Sequence, residues 1–215
     1  MKLTEEIATN IGKNARVILN VDEDKEKIII YGAIGLFQIL WSVLWTMVIG
    51  MVFGVVYEVL LFSIVVSVLK KYSGGAHASS PGRCIFIGVS VATGFGLLIK
   101  IVLTKQNIYF VSIIGFISIL IAFIIVLKLA PVESENKPIS SVEMRKKLKH
   151  KSEVIIIIYL IIMTITLLLF INSGNTYFLK AFECISLAAL WQAIMLTHRG
   201  INILNKVDFI LNFKR

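Results

Sequence analysis

The chain has little of what soluble and secreted proteins carry. Only 16% of its 215 residues are charged, and it has 3 prolines and 2 cysteines. Soluble domains average about 25% charged residues, so this composition excludes a sizeable soluble domain. The two cysteines, Cys84 beside a polar loop and Cys184 inside an apolar run, do not form a disulfide framework. Nothing in the composition requires an oxidising compartment.

Long apolar runs make up most of the chain, which is 57% apolar. Runs near twenty residues are long enough to cross a bilayer as helices. They predict an all-α integral membrane protein, one domain over 1–215, with about six transmembrane or partly re-entrant helices. The runs cover approximately 28–49, 51–69, 84–103, 108–130, 154–172 and 177–196. The first two form one stretch broken only by Gly50, Gly54 and Glu58, which fits a tight hairpin or a re-entrant pair.

The segments outside these runs show helical spacing with charges between apolar positions. This pattern predicts amphipathic interfacial helices at both ends, over 1–27 and 197–215. Ser140 and Glu143 have capping-box spacing ahead of a basic stretch, which predicts a short basic helix within the loop 131–153.

The distribution of basic residues predicts the orientation. The net charge is +9, but Lys and Arg flank apolar spans and form no soluble basic face, so nucleic acid is not an expected partner. With the N-terminus inside, 19 of the 22 Lys and Arg residues lie on the cytoplasmic side. We therefore expect a multi-pass cell-membrane protein whose termini, 70–83 loop and 131–153 loop are cytoplasmic.

The polar loop at residues 70–84 carries the candidate chemistry. It places His77 and Cys84 seven positions apart at the water boundary, where an imidazole and a thiol could meet as base and nucleophile. A free thiol is only about 3% thiolate at neutral pH, so a nucleophilic cysteine needs a group that favours the anion. A helix beginning at Cys84, the adjacent Arg83 and a proton-accepting His77 are three such groups.

Glycines and a proline shape this loop. Gly74 and Gly75 permit unusual dihedral angles before His77, and Pro81-Gly82 favours a turn that folds the loop back. The alternative reading of the same pattern is a solvated histidine and an inert cysteine. Two potential ligands are too few for a tetrahedral zinc site, so we expect neither a metal nor a cofactor.

Two carboxylates lie within the apolar spans and need partners, because insertion of each costs roughly 2.5 to 3.5 kcal/mol. Lys180 is three residues before Glu183 and can pair with it on one helix face. Glu58 has no obvious partner. It is either a protonated or Lys100-paired carboxyl in the bundle, or part of a substrate cavity.

Two segments resemble the accessory gene regulator B family, the membrane cysteine endopeptidases of Gram-positive quorum sensing. Residues 73–78 (SGGAHA), with Cys84 seven positions after the histidine, are similar to the active loop of that family. Residues 130–138 (APVESENKP), followed by a basic stretch, are similar to the segment after its fourth apolar span. The family often has arginine where this chain has Lys70 and Lys71, and lysine loses bidentate carboxylate binding.

The resemblance implies a specific activity. Such proteins cut the C-terminal segment from a short propeptide and join the new carboxyl end to an internal cysteine or serine. Cys84 would attack the scissile carbonyl, and His77 would activate the thiol and protonate the leaving amine. The propeptide would be amphipathic with an acidic C-terminal tail. The enzyme would be a homodimer in contact with membrane lipids. Lys70, Lys71, Arg83 and Glu58 are further candidates for substrate contact.

A basic cluster follows the second segment and has two interpretations. It either recruits the acidic tail of the propeptide, or sets topology and contacts lipid headgroups. The cluster consists of Arg145, Lys146, Lys147, Lys149 and Lys151. Two other function classes remain open at this point: a peptide transporter or export permease, in which the loop is a gate, and a structural or sensory partner without chemistry.

Overall fold

The computed structural model describes residues 2–76, 78–133, 139 and 141–212, with side chains from residue 5 onwards. Over these residues the chain forms eight α-helices and a short 3-10 helix at Leu103–Lys105, and no named strand. The helices are α1 (Lys2–Leu19), α2 (Glu23–Phe53), α3 (Val56–Ser73), α4 (Pro81–Ile101), α5 (Ile108–Leu129), α6 (Val142–Ser173), α7 (Thr176–Ile194) and α8 (His198–Asn212). The predicted all-α class is confirmed.

Five segments are long and apolar enough to cross a membrane, judged by length and composition among the described residues. They are α2, α4 with the 3-10 helix, α5, α6 and α7. Helix α3 has only 18 residues and carries Glu58, Lys70 and Lys71. The protein is therefore a multi-pass, all-α integral membrane protein.

The turn between α2 and α3 lies at Gly54. Helix α2 continues through Gly50, where the sequence suggested a break, and ends at Phe53. Gly54 adopts a φ of 63°, a left-handed conformation that favours glycine. Its carbonyl oxygen accepts a hydrogen bond of 2.8 Å from Lys100 Nζ, so Lys100 stabilises this turn.

The chain divides into two compact units, Met1–Trp45 and Thr46–Arg215. Within the first unit, α1 ends at Leu19, so the N-terminal amphipathic helix is shorter than the expected 1–27. Helix α2 begins at Glu23, because three acidic side chains in its first turn favour a helix start there. All residues of the candidate site lie in the second unit.

The predicted short basic helix is instead the beginning of α6. Ser141 caps this helix by accepting a hydrogen bond from the Met144 amide at 3.1 Å, while Ser140 lies outside the described residues. Since no glycine or proline interrupts residues 142–173, the basic turns continue directly into the apolar span.

Helix α7 is the most buried of the five candidate spans and packs against α3, α4, α5 and α6. Phe182, Cys184, Ala188 and Ala189 are fully buried. In lipid, helices associate through close packing, and small residues permit that approach. Gly115 of α5 is such a residue, since a Cβ there would overlap the Phe182 ring. Helix α7 therefore forms the centre of the bundle.

Substituting Gly115 tests this packing. Gly115→Ala should lower the stability of the protein by about 1 to 3 kcal/mol, because the methyl group overpacks the α5–α7 contact. The matched control is Gly94→Ala, where nothing lies within 4 Å of the added Cβ and helix propensity improves. Thermal unfolding of the detergent-solubilised protein measures both, and equal melting temperatures would contradict the packing described here.

Candidate active site

The polar loop joins α3 to α4, which pack against each other. Helix α3 ends at Ser73, where Gly74 adopts a φ of 70° that L-residues with a side chain rarely adopt. Gly75, with a φ of 112°, is in the same class. The two glycines predicted to shape the loop therefore have the conformations that require glycine.

The second pair of loop-shaping residues lies in a helix. Pro81 and Gly82 form the first turn of α4 and make no separate turn, because proline suits the first helical position. Ser80 caps the helix and accepts a hydrogen bond from the Arg83 amide at 3.3 Å. The helix thus begins three residues before the position expected from the sequence.

Cys84 lies in the first turn of α4, and its amide donates to the Ser80 carbonyl oxygen at 3.0 Å. The side chain is half-buried and the thiol is free. The amino end of a helix carries a partial positive charge that favours an anion within that turn. The structure therefore provides one of the three groups predicted to favour the thiolate.

His77 lies outside the described residues, but the residues on each side of it are anchored. Ala76 and Ala78 are buried, and the Ala76 carbonyl oxygen accepts a hydrogen bond of 2.9 Å from Lys70 Nζ. Burial lowers the pKa of the Lys70 ammonium, and electrostatic interaction with Cys84 acts in the opposite direction. Lys70 therefore binds the loop at Ala76 and also interacts electrostatically with Cys84.

The loop pairs with the segment that follows α5. Gly74 and Val132 form a parallel β-bridge. The Gly75 amide donates to the Val132 carbonyl oxygen at 3.2 Å, and the Val132 amide donates to the Ser73 carbonyl oxygen at 2.9 Å. A Cβ at Gly74 would overlap the Val132 carbonyl oxygen, so the close approach requires glycine. The two segments singled out in the sequence therefore meet in space.

Gln192 of α7 supports the same bridge from the core. Its side chain is 1% exposed, and Nε2 donates to the Ser73 hydroxyl at 3.1 Å and to the Gly74 carbonyl oxygen at 2.9 Å. We did not predict this role. The available signal was an amide in the last turns of a span, because a side-chain amide exposed to lipid would be penalised.

Helix α8 contacts the other end of the loop. Asp208 accepts hydrogen bonds from the Ser79 amide at 3.2 Å, from the Ser79 hydroxyl, and from Arg83 Nε at 2.7 Å. Arg83 also donates to Asn212 Oδ1 at 2.9 Å and to the Ser79 hydroxyl. The guanidinium of Arg83, expected beside the thiolate or the substrate, therefore binds α8.

These contacts keep Asp208 ionised. Burial raises the pKa of its carboxyl, but the hydrogen bonds from Ser79 and Arg83 outweigh burial, so the pKa lies below its ordinary value. The stabilisation is present above the ordinary carboxyl pKa and is lost as the pH falls through the lowered one. The sequence signal we missed is that Asp208 is the single acidic residue in 197–215.

Comparison with known proteins identifies the family of the chain. The family model for accessory gene regulator B matches residues 4–196. The chain belongs to the accessory gene regulator B family. Two relatives in Clostridium perfringens, a putative AgrB-like protein of strain SM101 and a putative AgrB-like protein 2 of strain 13, are each 34% identical over 211 residues. The alignments cover 98% of this chain and 99% of each relative. No solved structure matches the chain.

Family membership gives the chain a role in accessory gene regulation, the processing of a quorum-sensing peptide at a membrane. Both segments that carried the resemblance lie inside the match, as does Cys84. All of α8, including Asp208, lies beyond residue 196, where the family model ends. The alignments with the two relatives cover 211 of the 215 residues and therefore extend beyond the end of the family model.

The basic cluster of this accessory gene regulator B protein is exposed and borders the loop. Arg145 pairs with Glu133 of the second segment. Lys151 Nζ lies 5.3 Å from the centre of the Tyr72 ring, and Lys71 Nζ lies 5.4 Å from it. The start of α6 is thus connected to the end of α3 that leads into the loop.

Glu58 lies at the opposite end of α3. Ser73 is 15 residues away, about 22 Å of helix, so the structure does not bring Glu58 to the thiol. Lys180 Nζ is 2.7 Å from Glu58 Oε1, so Lys180 pairs with Glu58 and the predicted Lys180–Glu183 pair was wrong. Lys100, one of the alternatives considered for Glu58, binds the Gly54 carbonyl oxygen instead. Both Glu183 oxygens are buried without a hydrogen-bond partner among the described residues. Lys180 reaches across to α3, whose carboxylate is equally buried.

The bridge can be tested with two glycines of similar φ. Gly74→Ala should open the loop, because it adds a clash with Val132 to the backbone strain of a side chain at φ 70° and ψ −144°, a region essentially confined to glycine. Gly174→Ala has the backbone cost alone, as nothing lies within 4 Å of its Cβ. Limited trypsin digestion of the solubilised protein, read by mass spectrometry, should show faster cutting after Lys71 in Gly74→Ala only. Similar digestion of both variants would mean that the bridge does not hold the loop.

Proposed function

We propose that this chain is a membrane cysteine endopeptidase. It cuts the C-terminal segment from a short autoinducing-peptide precursor and promotes cyclisation of the remaining peptide to a thiolactone or lactone. The observation that supports this best is the pairing of the Cys84 loop with the second family segment through Gly74 and Val132. A loop held by backbone hydrogen bonds on a rigid bundle can position a nucleophile, which a mobile loop cannot.

The chemistry follows from the residues. His77 accepts the thiol proton as Cys84 Sγ attacks the scissile carbonyl carbon. The tetrahedral intermediate collapses, the carbon–nitrogen bond breaks, and His77 returns the proton to the leaving amine. The precursor is then an acyl-thioester on Cys84. A cysteine or serine within the precursor attacks that carbonyl, closes the ring, and releases Cys84 as a thiol.

Ring closure requires protection from water and removal of products. Hydrolysis of the acyl-thioester would yield a linear peptide, so a site at the membrane surface that excludes water favours the ring. Exchanging a peptide bond for a thioester is energetically uphill. Removal of the cleaved tail or of the ring, by a partner protease or exporter, draws the reaction forward.

The substrate contacts in this proposal are electrostatic. The acidic tail of the precursor would approach the exposed basic start of α6, which continues through Lys151 and Tyr72 to Lys71 at the loop. The amphipathic part of the precursor would lie in the same leaflet. The proposal includes a cytoplasmic loop with both termini on that side, and a homodimer, as the family resemblance implies.

Replacing the two cysteines separately tests the thiol mechanism. Cys84→Ala and His77→Ala should abolish release of the C-terminal fragment from a co-expressed, tagged precursor, because each removes a reacting group. Cys184→Ala is the matched control and should retain release, since Cys184 is fully buried in α7. Immunoblotting of the tagged fragment measures all three. Fragment release by Cys84→Ala would exclude the thiol mechanism and favour the transporter class.

Neutralising the basic cluster tests recruitment of the tail. Replacing the five residues by glutamine should reduce precursor processing about tenfold by weakening electrostatic capture, while membrane insertion is maintained by the remaining loop charges. The cluster consists of Arg145, Lys146, Lys147, Lys149 and Lys151. Processing rates at low and high salt, normalised to membrane-inserted protein, measure the effect. Unchanged processing would show that these charges serve topology or lipid contact instead.

A further inference from the structure

One carboxylate of α8 binds both ends of the chain segment that lies between the proposed reacting residues, His77 and Cys84. Ser79 is two residues after His77 in the sequence, and Arg83 immediately precedes Cys84. Asp208 binds both. We propose that Asp208 is a positioning residue of this site, and that α8 completes the site by fixing the chain between His77 and Cys84.

The contact has the features of a specific interaction. Ser79 donates both its amide and its hydroxyl to Oδ2 of Asp208, and Arg83 Nε donates to Oδ1 at 2.7 Å. The side chains of Arg83 and Asp208 are 23% and 12% exposed, so water screens the ion pair less than at an open surface. Hydrogen bonds between charged groups of this kind are the strong class.

Asn212, one turn further along α8, adds a second acceptor for Arg83 at 2.9 Å. Asp208 and Asn212 are four residues apart and lie on the same face of the helix. The apolar side chains Ile203, Phe209 and Ile210 are exposed. One face of α8 is thus committed to the loop, although the sequence pattern alone suggests a helix that only lies on the membrane.

The contact also controls a charge. Asp208 neutralises Arg83 and directs its guanidinium toward α8, so this cation is not free to favour the adjacent thiolate. Removing the carboxylate should have two effects on Cys84 in the same direction: the freed guanidinium favours the anion, and the loosened loop exposes the sulfur. Peptide turnover should move in the opposite direction, because the chain between the two proposed reacting residues is no longer held.

Alkylation that becomes faster but stays below the rate of the denatured protein distinguishes loss of positioning from unfolding. We compare Asp208→Asn, which keeps the shape and removes the charge, with Asp208→Glu, which keeps the charge. The matched control is Asp24→Asn, the same substitution at a side chain that is 92% exposed in the other compact unit. All variants are made in a Cys184→Ala background, full length and in membranes, so that Cys84 is the only thiol.

Two readouts are measured on each variant. The first is the alkylation rate of Cys84 by iodoacetamide at neutral pH, with the denatured protein as a reference rate. The second is the rate of fragment release from the tagged precursor, with its dependence on precursor concentration. Only the second readout rests on the proposed function.

In Asp208→Asn we expect alkylation about threefold faster, but below the denatured rate. We expect kcat to be lower by about tenfold or more with KM little changed, because the loss lies in geometry after binding. Asp208→Glu should recover most of both, and Asp24→Asn should match the parent.

The inference is overturned if alkylation in Asp208→Asn equals the parent rate, since the carboxylate then constrains neither the loop nor Arg83. It is also overturned if alkylation reaches the denatured rate, which would indicate unfolding. If the parent releases no fragment, the proposed function fails, and the alkylation comparison still decides whether Asp208 holds the loop.

Discussion

The bridge between Gly74 and Val132 is the contact on which the candidate site depends. A buried stretch of chain must satisfy its backbone amides and carbonyls within the protein, because an unpaired buried polar group is costly. The segment after α3 leaves the helix and meets the Val132 backbone at Ser73 and Gly75. Gln192 then binds the Ser73 hydroxyl and the Gly74 carbonyl oxygen from the buried side. This network fixes the direction in which the chain enters the loop that carries Cys84.

Helix α7 contacts α3 and the loop that follows α3 near both of its own ends. Near its amino end, Lys180 pairs with the buried Glu58 of α3, and near its carboxyl end Gln192 binds the loop that follows α3. Removing one partner of a buried ion pair is strongly destabilising, so the Glu58–Lys180 contact is a constraint on how α3 lies against α7. Since α3 leads directly into the loop, its placement on α7 also places the candidate site.

Charge around the loop is arranged unevenly. Lys70 lies inside, bound to the Ala76 carbonyl oxygen, whereas Lys71 and Lys151 lie over the Tyr72 ring. The negative charge of Asp208 neutralises the positive charge of Arg83. The result is a positive surface toward the start of α6 and a neutralised pair beside α8, which is consistent with an acidic peptide approaching from the α6 side.

Local signals in the sequence determined the class of the protein and most of its membrane spans, because these depend on continuous apolar runs. They also determined the conformations of Gly74 and Gly75 and a helix start near Cys84, because these depend on turn residues within a few positions. Only the tertiary structure decided the contacts between distant segments. Local periodicity does not record which of two carboxylates a lysine reaches, so Lys180 pairs with Glu58 of another helix and not with Glu183 on its own. Nor does local periodicity record that Asp208 binds Ser79, because the two residues are 129 positions apart in the sequence. Such partners are set by how buried helices pack, and packing is a property of the folded chain.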